Sequence, residues 1–156
     1  MKRPPDFSFA SPREHHYEAD ACLTWCFDDR FSPLLEEYKE ERGFKHSDVI
    51  ESAGGAKALA ADGGPERDFL LDQIKTSIRL HKTPLIILTV HIDCGGYGGS
   101  KAFQNDAEAE YAHHEAELKK AAEFLRTQLP PEVEIETWLA DFDGMRQIAA
   151  ATAIAA

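Results

Sequence analysis

One run of apolar residues constrains the fold of this chain more than any other feature. Residues 84–91, PLIILTVH, are apolar along most of their length. Such a run is typical of a central strand in a parallel sheet, because helices cover both faces of that strand. The run therefore predicts an α/β fold, in which helices pack on the two faces of one sheet.

The remaining sequence alternates between strand patterns and helix patterns. Further strands are predicted at 19–26, 47–52 and 132–140. The last of these alternates apolar and polar residues, which indicates a half-exposed strand at a sheet edge. Helices are predicted at 33–43, at 66–81 and from a cap at Asn105 to Pro130, and the tail from Met145 is compatible with a last helix.

Four strands that alternate with helices imply a small parallel β-sheet in the order 2-1-3-4, flanked by helices. We expect residues 1–156 to form one domain, with residues 1–18 as a polar N-terminal arm. Sheets of this kind bind ligands beyond the carboxyl ends of the strands, where the strand order reverses. The ends of strands 1 and 3 are therefore the places to look for a functional site.

The charge of the chain excludes some classes of partner. It has 17 Lys and Arg against 28 Asp and Glu, a formal net charge of −11. Nucleic acids and anionic membrane surfaces both require a cationic footprint, so neither is expected as a partner. No apolar run approaches the ~18 residues of a membrane span, and the start, MKRPPDFSF, lacks the apolar core of a signal peptide. We therefore expect a cytoplasmic protein.

Candidate metal ligands follow strands 1 and 3. Cys26 ends the first strand, and His91 and Cys94 lie at the end of the third. Two thiols and one imidazole would thus converge at one crevice. Zinc accepts this donor set, and a fourth position left open makes such a site catalytic. The glycines that follow Cys94 let the backbone curl around an ion.

Two charged residues follow Cys26 at alternate positions. In extended geometry Asp28 lies on the same side as Cys26, where it could accept the proton of a zinc-bound hydroxide. Arg30 is two residues further on and could pair with Asp28, which would keep the carboxylate ionised and oriented. We therefore take Asp28 and Arg30 as candidate catalytic residues.

The motifs Cys26-Phe-Asp28-Asp-Arg30 and His91-Ile-Asp93-Cys94-Gly95 resemble those of the β-class carbonic anhydrases. The resemblance covers about residues 20–140 and extends to the order of the elements. It implies zinc on the three ligands, the Asp–Arg dyad, a four-stranded parallel sheet and a homodimer or higher oligomer. It also implies reversible hydration of CO₂ to bicarbonate by a zinc-bound hydroxide.

The sequence departs from the family pattern after strand 2. Many members read like Arg-Asn-Ala-Gly-Asn there, whereas this chain has Glu-Ser-Ala-Gly-Gly at 51–55. This departure keeps one alternative open, a zinc protein of the same fold without turnover. A related hydrolase of another small molecule, such as carbon disulfide, is a further alternative. A thiol phosphatase built on Cys94 fits poorly, because Ser100 stands where the phosphate-binding Arg is needed.

Three other residues have plainer interpretations. Cys22 is about 13 Å from Cys26 along the strand, too far to be a ligand, and is interpreted as a core residue. Asp93 is interpreted as a turn residue, although a role in the hydrogen bonds of its loop stays open. His114 is interpreted as a half-buried packing residue rather than a proton shuttle.

Overall fold

A five-stranded sheet runs through the centre of the computed structural model, which describes residues 2–13 and 16–148. The strand order is β2-β1-β3-β4-β5. The first four strands are parallel to their neighbours, and β5 pairs antiparallel with β4. The strands are β1 (Ala21–Trp25), β2 (Ser47–Glu51), β3 (Leu85–His91), β4 (Glu134–Asp141) and β5 (Gly144–Ile148).

Helices connect the parallel strands and lie on both faces of the sheet. They are α1 (Ser32–Glu41), α2 (Lys57–Ala60), α3 (Pro65–His81) and α4 (Ala107–Gln128), with short 3₁₀ turns at Asp29–Phe31, Gly95–Tyr97 and Ser100–Phe103. Side chains of β3 alternate between the two layers. Ile86, Leu88 and Val90 pack with α2, α3 and α4, whereas Ile87 packs with α1. The α/β fold and the order 2-1-3-4 are thus confirmed.

Three details of the predicted fold were wrong. β4 is not an edge strand, because β5 pairs along its outer side. The tail from Met145 begins as that fifth strand rather than as a helix, and residues 149–156 lie outside the described residues. Asp106, not Asn105, caps α4: its carboxylate accepts the N–H groups of Glu108 and Ala109, whereas Asn105 adopts a left-handed backbone with φ 58°.

No helix within the described ranges combines the length and the apolar composition that a membrane crossing requires.

A half-buried carboxylate joins three segments near the amino end of the sheet, opposite the ends that carry the candidate ligands. Asp48 on β2 accepts a hydrogen bond of 2.7 Å from Tyr17, which precedes β1. It also accepts bonds from two residues of α3, Ser77 at 2.7 Å and the Nδ1 of His81 at 2.6 Å. Burial alone raises the pKa of Asp48, but these hydrogen bonds outweigh it and the pKa lies below its ordinary value.

We expect Asp48→Asn to lower the free energy of unfolding by about 2 kcal/mol at pH 7, since hydrogen bonds to a charged group contribute about 1.5–3 kcal/mol. A carboxylate with a lowered pKa stabilises the fold above its unfolded pKa, and this contribution is lost as pH falls through its folded pKa. The difference between variant and wild type should thus be constant above about pH 5 and shrink below about pH 4. Urea unfolding across that range measures it, and a difference independent of pH would contradict the assignment.

Candidate metal centre

Three buried side chains meet where β1 and β3 end. Cys26 directly follows β1, His91 is the last residue of β3, and Cys94 follows after a two-residue turn. Because β1 and β3 are parallel neighbours, their carboxyl ends lie side by side. One ligand atom from each of the three residues lies within 4.8 Å of the others. The structure therefore brings together the three residues that the sequence indicated.

The geometry of this cluster fits a tetrahedral ion. The sulfur atoms of Cys26 and Cys94 are 3.9 Å apart, and tetrahedral bonds of about 2.3 Å would place two sulfurs about 3.8 Å apart. The Nδ1–H of His91 donates to the carbonyl oxygen of Ile92 at 2.7 Å, which leaves a lone pair on Nε2. That Nε2 is buried and finds no hydrogen-bond partner among the described residues. An imidazole nitrogen without a hydrogen-bond partner and two thiols can all coordinate one divalent cation that prefers nitrogen and sulfur ligands.

The two thiols are coupled, and this coupling also favours a cation. A hydrogen bond from Cys94 lowers the pKa of Cys26, and His91 and the backbone N–H of Gly54 lower it further. The same shared proton raises the pKa of Cys94, together with burial. One proton is thus released readily and the other is held between the two sulfurs. A dication can replace that second proton, because it stabilises both thiolates.

Two glycine-containing loops close around the sulfurs. Gly54 donates its N–H to the Cys26 sulfur at 3.4 Å. Gly55 has a left-handed backbone with φ 58°, and a Cβ on it would lie 2.4 Å from the carbonyl oxygen of Thr89. A Cβ on Gly96 would lie 3.0 Å from the backbone nitrogen of Gly54. The departure from the family pattern at 51–55 therefore lies against the cluster, in a loop packed on β3 and on the loop after Cys94.

Asp28 and Arg30 form a bidentate pair beside the cluster. The Nε of Arg30 donates to Asp28 Oδ1 at 3.0 Å and its Nη2 donates to Oδ2 at 2.7 Å. This pairing is the main reason that the pKa of Asp28 falls to about 2. The Oδ2 of Asp28 lies 3.9 Å from the Nε2 of His91. The Asp28 carboxylate thus stays ionised at any physiological pH and lies beside the His91 ring of the cluster.

Asp93 has a larger role than the plain turn residue favoured by the sequence analysis. Its backbone is left-handed, with φ 53°. Its carboxylate accepts the N–H of Ser100 at 3.0 Å and the Nη1 of Arg30 at 3.0 Å, and its carbonyl oxygen accepts the Nη2 of Arg30 at 3.0 Å. Asp93 therefore links the Asp28–Arg30 pair to the loop of Cys94. Its position directly before a candidate ligand was the only signal of this role in the sequence.

One aromatic ring packs directly against the cluster. The ring of Phe31 lies 4.3 Å from that of His91, measured between ring centroids, and this contact fixes the plane of the imidazole.

The structure also gives the positions of residues outside the cluster. His114 is fully buried rather than half-buried, and burial lowers its pKa to about 4. Cys22 is a free, fully buried thiol of the core, as expected. Glu110 was missed by sequence reasoning: it is a buried acid whose carboxylate contacts the loop of Cys94.

Comparison with known proteins agrees with this geometry. A family model described as "Putative carbonic anhydrase" matches residues 17–149. A search of curated protein sequences found no match. Among solved structures, the carbonic anhydrase of Streptococcus mutans aligns over 90% of this chain and 88% of its own, with a TM-score of 0.61 and 15% identity.

Two further solved structures show how widely the fold is shared. A tetrameric β-carbonic anhydrase of the ascomycete Sordaria macrospora aligns over 86% of this chain and 82% of its own, with a TM-score of 0.60 and 12% identity. The apo form of a carbon disulfide hydrolase aligns over 85% and 80%, with a TM-score of 0.57 and 15% identity. At these identities the structural matches establish the fold alone.

Proposed function

The chain belongs to the carbonic anhydrase family whose model spans most of its length, and it has the fold of β-carbonic anhydrases; from that premise we propose that it catalyses the reversible hydration of CO₂ to bicarbonate. The proposal rests on one observation, the buried cluster of Cys26, His91 and Cys94. We propose these residues as ligands of a zinc ion, with Asp28 and Arg30 as the catalytic pair beside it.

A zinc ion in this cluster would supply Lewis acidity, which makes a water molecule acidic enough to lose a proton near neutral pH. The protein has to hold that ion with one position open and to orient the water. Three protein donors leave the fourth tetrahedral position free. The N–H of Gly54 and the carbonyl of Ile92 fix the Cys26 sulfur and the His91 ring respectively, so that the donors are aimed before an ion arrives.

Asp28 is placed to accept a hydrogen bond from a water molecule beside the cluster. Its Oδ2 lies 3.9 Å from His91 Nε2, and Arg30 holds the carboxylate ionised. An acceptor that is always charged directs a proton of the water toward itself and a lone pair of the oxygen toward the substrate carbon. Arg30 keeps that acceptor in place through its bidentate contact, and is itself held by Asp93.

Stopped-flow CO₂ hydration tests this function. The protein is loaded with one equivalent of zinc, and the initial rate is followed with a pH indicator at alkaline pH, where ionisation of the water is favoured. We expect a rate above that of the buffer that scales linearly with zinc content from zero to one equivalent. A protein that carries stoichiometric zinc and hydrates no CO₂ would overturn the proposed enzyme activity.

Carbon disulfide is a second substrate worth including, because a carbon disulfide hydrolase shares the fold and the 51–55 loop departs from the pattern of many family members. It is linear like CO₂ and can be attacked at carbon by the same water. Release of hydrogen sulfide without CO₂ hydration would favour this alternative. Zinc binding with neither reaction would favour a zinc protein without turnover.

The remaining features of the proposal concern assembly. Tetramers occur among proteins with this fold, and we propose a homodimer or a higher oligomer for this chain, with residues 1–156 forming one domain in each subunit. Light scattering of the purified protein measures this directly. The cytoplasmic location expected from the sequence stays a prediction.

A further inference from the structure

A buried carboxylate on α4 contacts the loop that carries Cys94. Glu110 lies near the start of the helix and is only 3% exposed. Its Oε1 accepts the backbone N–H of Asp93 at 2.7 Å, and its Oε2 accepts the hydroxyl of Ser100 at 2.7 Å. The two residues that it contacts lie on either side of Cys94, one directly before it and one six positions after.

Packing alone does not explain an acid at this position. Glu110 belongs to the buried stripe of α4, whose other members are His114, Leu118, Ala121 and Leu125. An apolar side chain would continue that stripe at no electrostatic cost, whereas a buried carboxyl group destabilises the fold unless hydrogen bonds compensate it. Both oxygens of Glu110 accept hydrogen bonds from the same loop. The Nε2 of His114 lies 3.5 Å from Oε1 but makes no hydrogen bond to it. The hydrogen bonds that compensate the buried acid therefore come from the Cys94 loop.

The hydrogen bond from Asp93 to Glu110 stabilises an unfavourable backbone conformation. Asp93 has a left-handed backbone, φ 53°, which costs a non-glycine residue about 1 kcal/mol. Glu110 fixes its N–H from the helix side. Arg30 and Ser100 fix its carbonyl and carboxylate from the other side. Asp93 is thus clamped between α4 and the Asp28–Arg30 pair, and the next residue in the chain is Cys94.

We propose that Glu110 is a positioning residue of the metal centre: its carboxylate fixes the turn from Asp93 to Ser100, and through that turn it sets the positions of the Cys94 sulfur and the Arg30 guanidinium. The inference deepens the proposed function and rests on it, because it takes Cys94 as a metal ligand. Glu110 is not one of the three candidate ligands and acts on the centre through its hydrogen bonds to Asp93 and Ser100.

Zinc release provides the test, because it does not depend on catalysis. The zinc-loaded protein is mixed with an excess of a chromophoric chelator at 25 °C, under conditions in which every variant is folded. We expect Glu110→Ala to release zinc about tenfold faster than wild type, since residues that orient metal ligands contribute 10–100-fold to metal affinity. Glu110→Gln should be much closer to wild type, because its amide can accept from Asp93 and donate to Ser100.

Leu118→Ala is the matched control. Leu118 is fully buried in the core on the same helix, two turns further on, and makes no hydrogen bond to Asp93 or Ser100. Its loss should lower the melting temperature and leave zinc release within twofold of wild type. If Glu110→Ala releases zinc at the wild-type rate, or if Leu118→Ala accelerates release equally, Glu110 is only a stability residue and the proposal is overturned.

A second measurement, made without metal, tests the contact between Glu110 and Asp93 directly. In the apo protein, hydrogen exchange of the Asp93 amide should lose protection in Glu110→Ala and keep it in Leu118→Ala. If Glu110→Ala does not fold, the double variant Glu110→Gln, Ser100→Ala replaces it. We expect this variant to release zinc faster than wild type but less than tenfold faster, and release at the wild-type rate would overturn the proposal. Wild type that binds zinc but hydrates no CO₂ would overturn the proposed function and leave this inference standing. Unchanged Asp93 exchange would overturn the inference and leave the function standing.

Discussion

Cys26→Ser is expected to abolish both zinc binding and CO₂ hydration, whereas Cys22→Ser keeps both. The two thiols lie on one segment and both are buried, but only Cys26 faces His91 and Cys94. A serine hydroxyl is not ionised at neutral pH and is a poor ligand for zinc. Changes that only reorient a ligand weaken metal binding 10–100-fold, so we expect replacement of a ligand to weaken it by at least about 100-fold.

The comparison of the two serine variants separates chemistry from stability. Both place a hydroxyl in a buried site, and both should lower the free energy of unfolding by about 1–3 kcal/mol. Zinc content after dialysis and the hydration rate are then measured on each. If Cys26→Ser retains stoichiometric zinc and full activity, the ligand assignment is refuted. If Cys22→Ser also loses zinc, the effect of Cys26→Ser reflects the fold and not the metal centre.

Among the glycine-to-alanine variants, Gly55→Ala is expected to lower the free energy of unfolding most. Its φ of 58° is unfavourable for alanine, and the new methyl carbon would lie 2.4 Å from the carbonyl oxygen of Thr89. The conformational cost is about 1 kcal/mol, and displacement of packed backbone adds roughly 1–3 kcal/mol. Because Gly54 donates to the Cys26 sulfur, a shift of this loop should also weaken zinc binding.

Gly43→Ala isolates the steric part of that effect. Gly43 also has a left-handed backbone, φ 67°, but no atom lies within 4 Å of a Cβ built there. We expect Gly43→Ala to lose only about 1 kcal/mol and to keep its zinc. Denaturant unfolding of the two variants measures the difference, and equal losses would show that the loop at Gly55 moves freely away from β3.

The candidate metal centre was predictable because its residues lie at strand ends. Cys26, His91 and Cys94 each follow or end a strongly apolar strand, and parallel strands bring their carboxyl ends together. The positions of the two strands in the chain were therefore enough to place Cys26 beside His91 and Cys94. No comparable rule exists for Glu110, because one acid on a helix rich in charged residues carries no mark of burial.

The errors at β4 and β5 have a physical reason. The polar residues of β4 were interpreted as water-facing, yet Glu136 is largely covered and pairs with Arg42 of the α1 connection at 2.8 Å. An ion pair that spans 94 positions has no local signal. The alanine-rich tail favours a helix by propensity, and its first residues form β5 instead because β4 offers an open edge. Tertiary pairing decided both outcomes.

Cys26 is far from the other two candidate ligands in the chain, and this affects when an ion can be captured during folding. The two sulfurs are 68 positions apart and are brought together by the pairing of β1 with β3. Before that pairing the chain presents at most the local pair His91 and Cys94, so zinc should bind the native state preferentially. Mass action then couples the melting temperature to free zinc, with a gain that grows as the logarithm of its concentration. In a zinc-poor cell the same coupling would leave the zinc-free protein less stable and more exposed to proteolysis than the zinc-loaded protein.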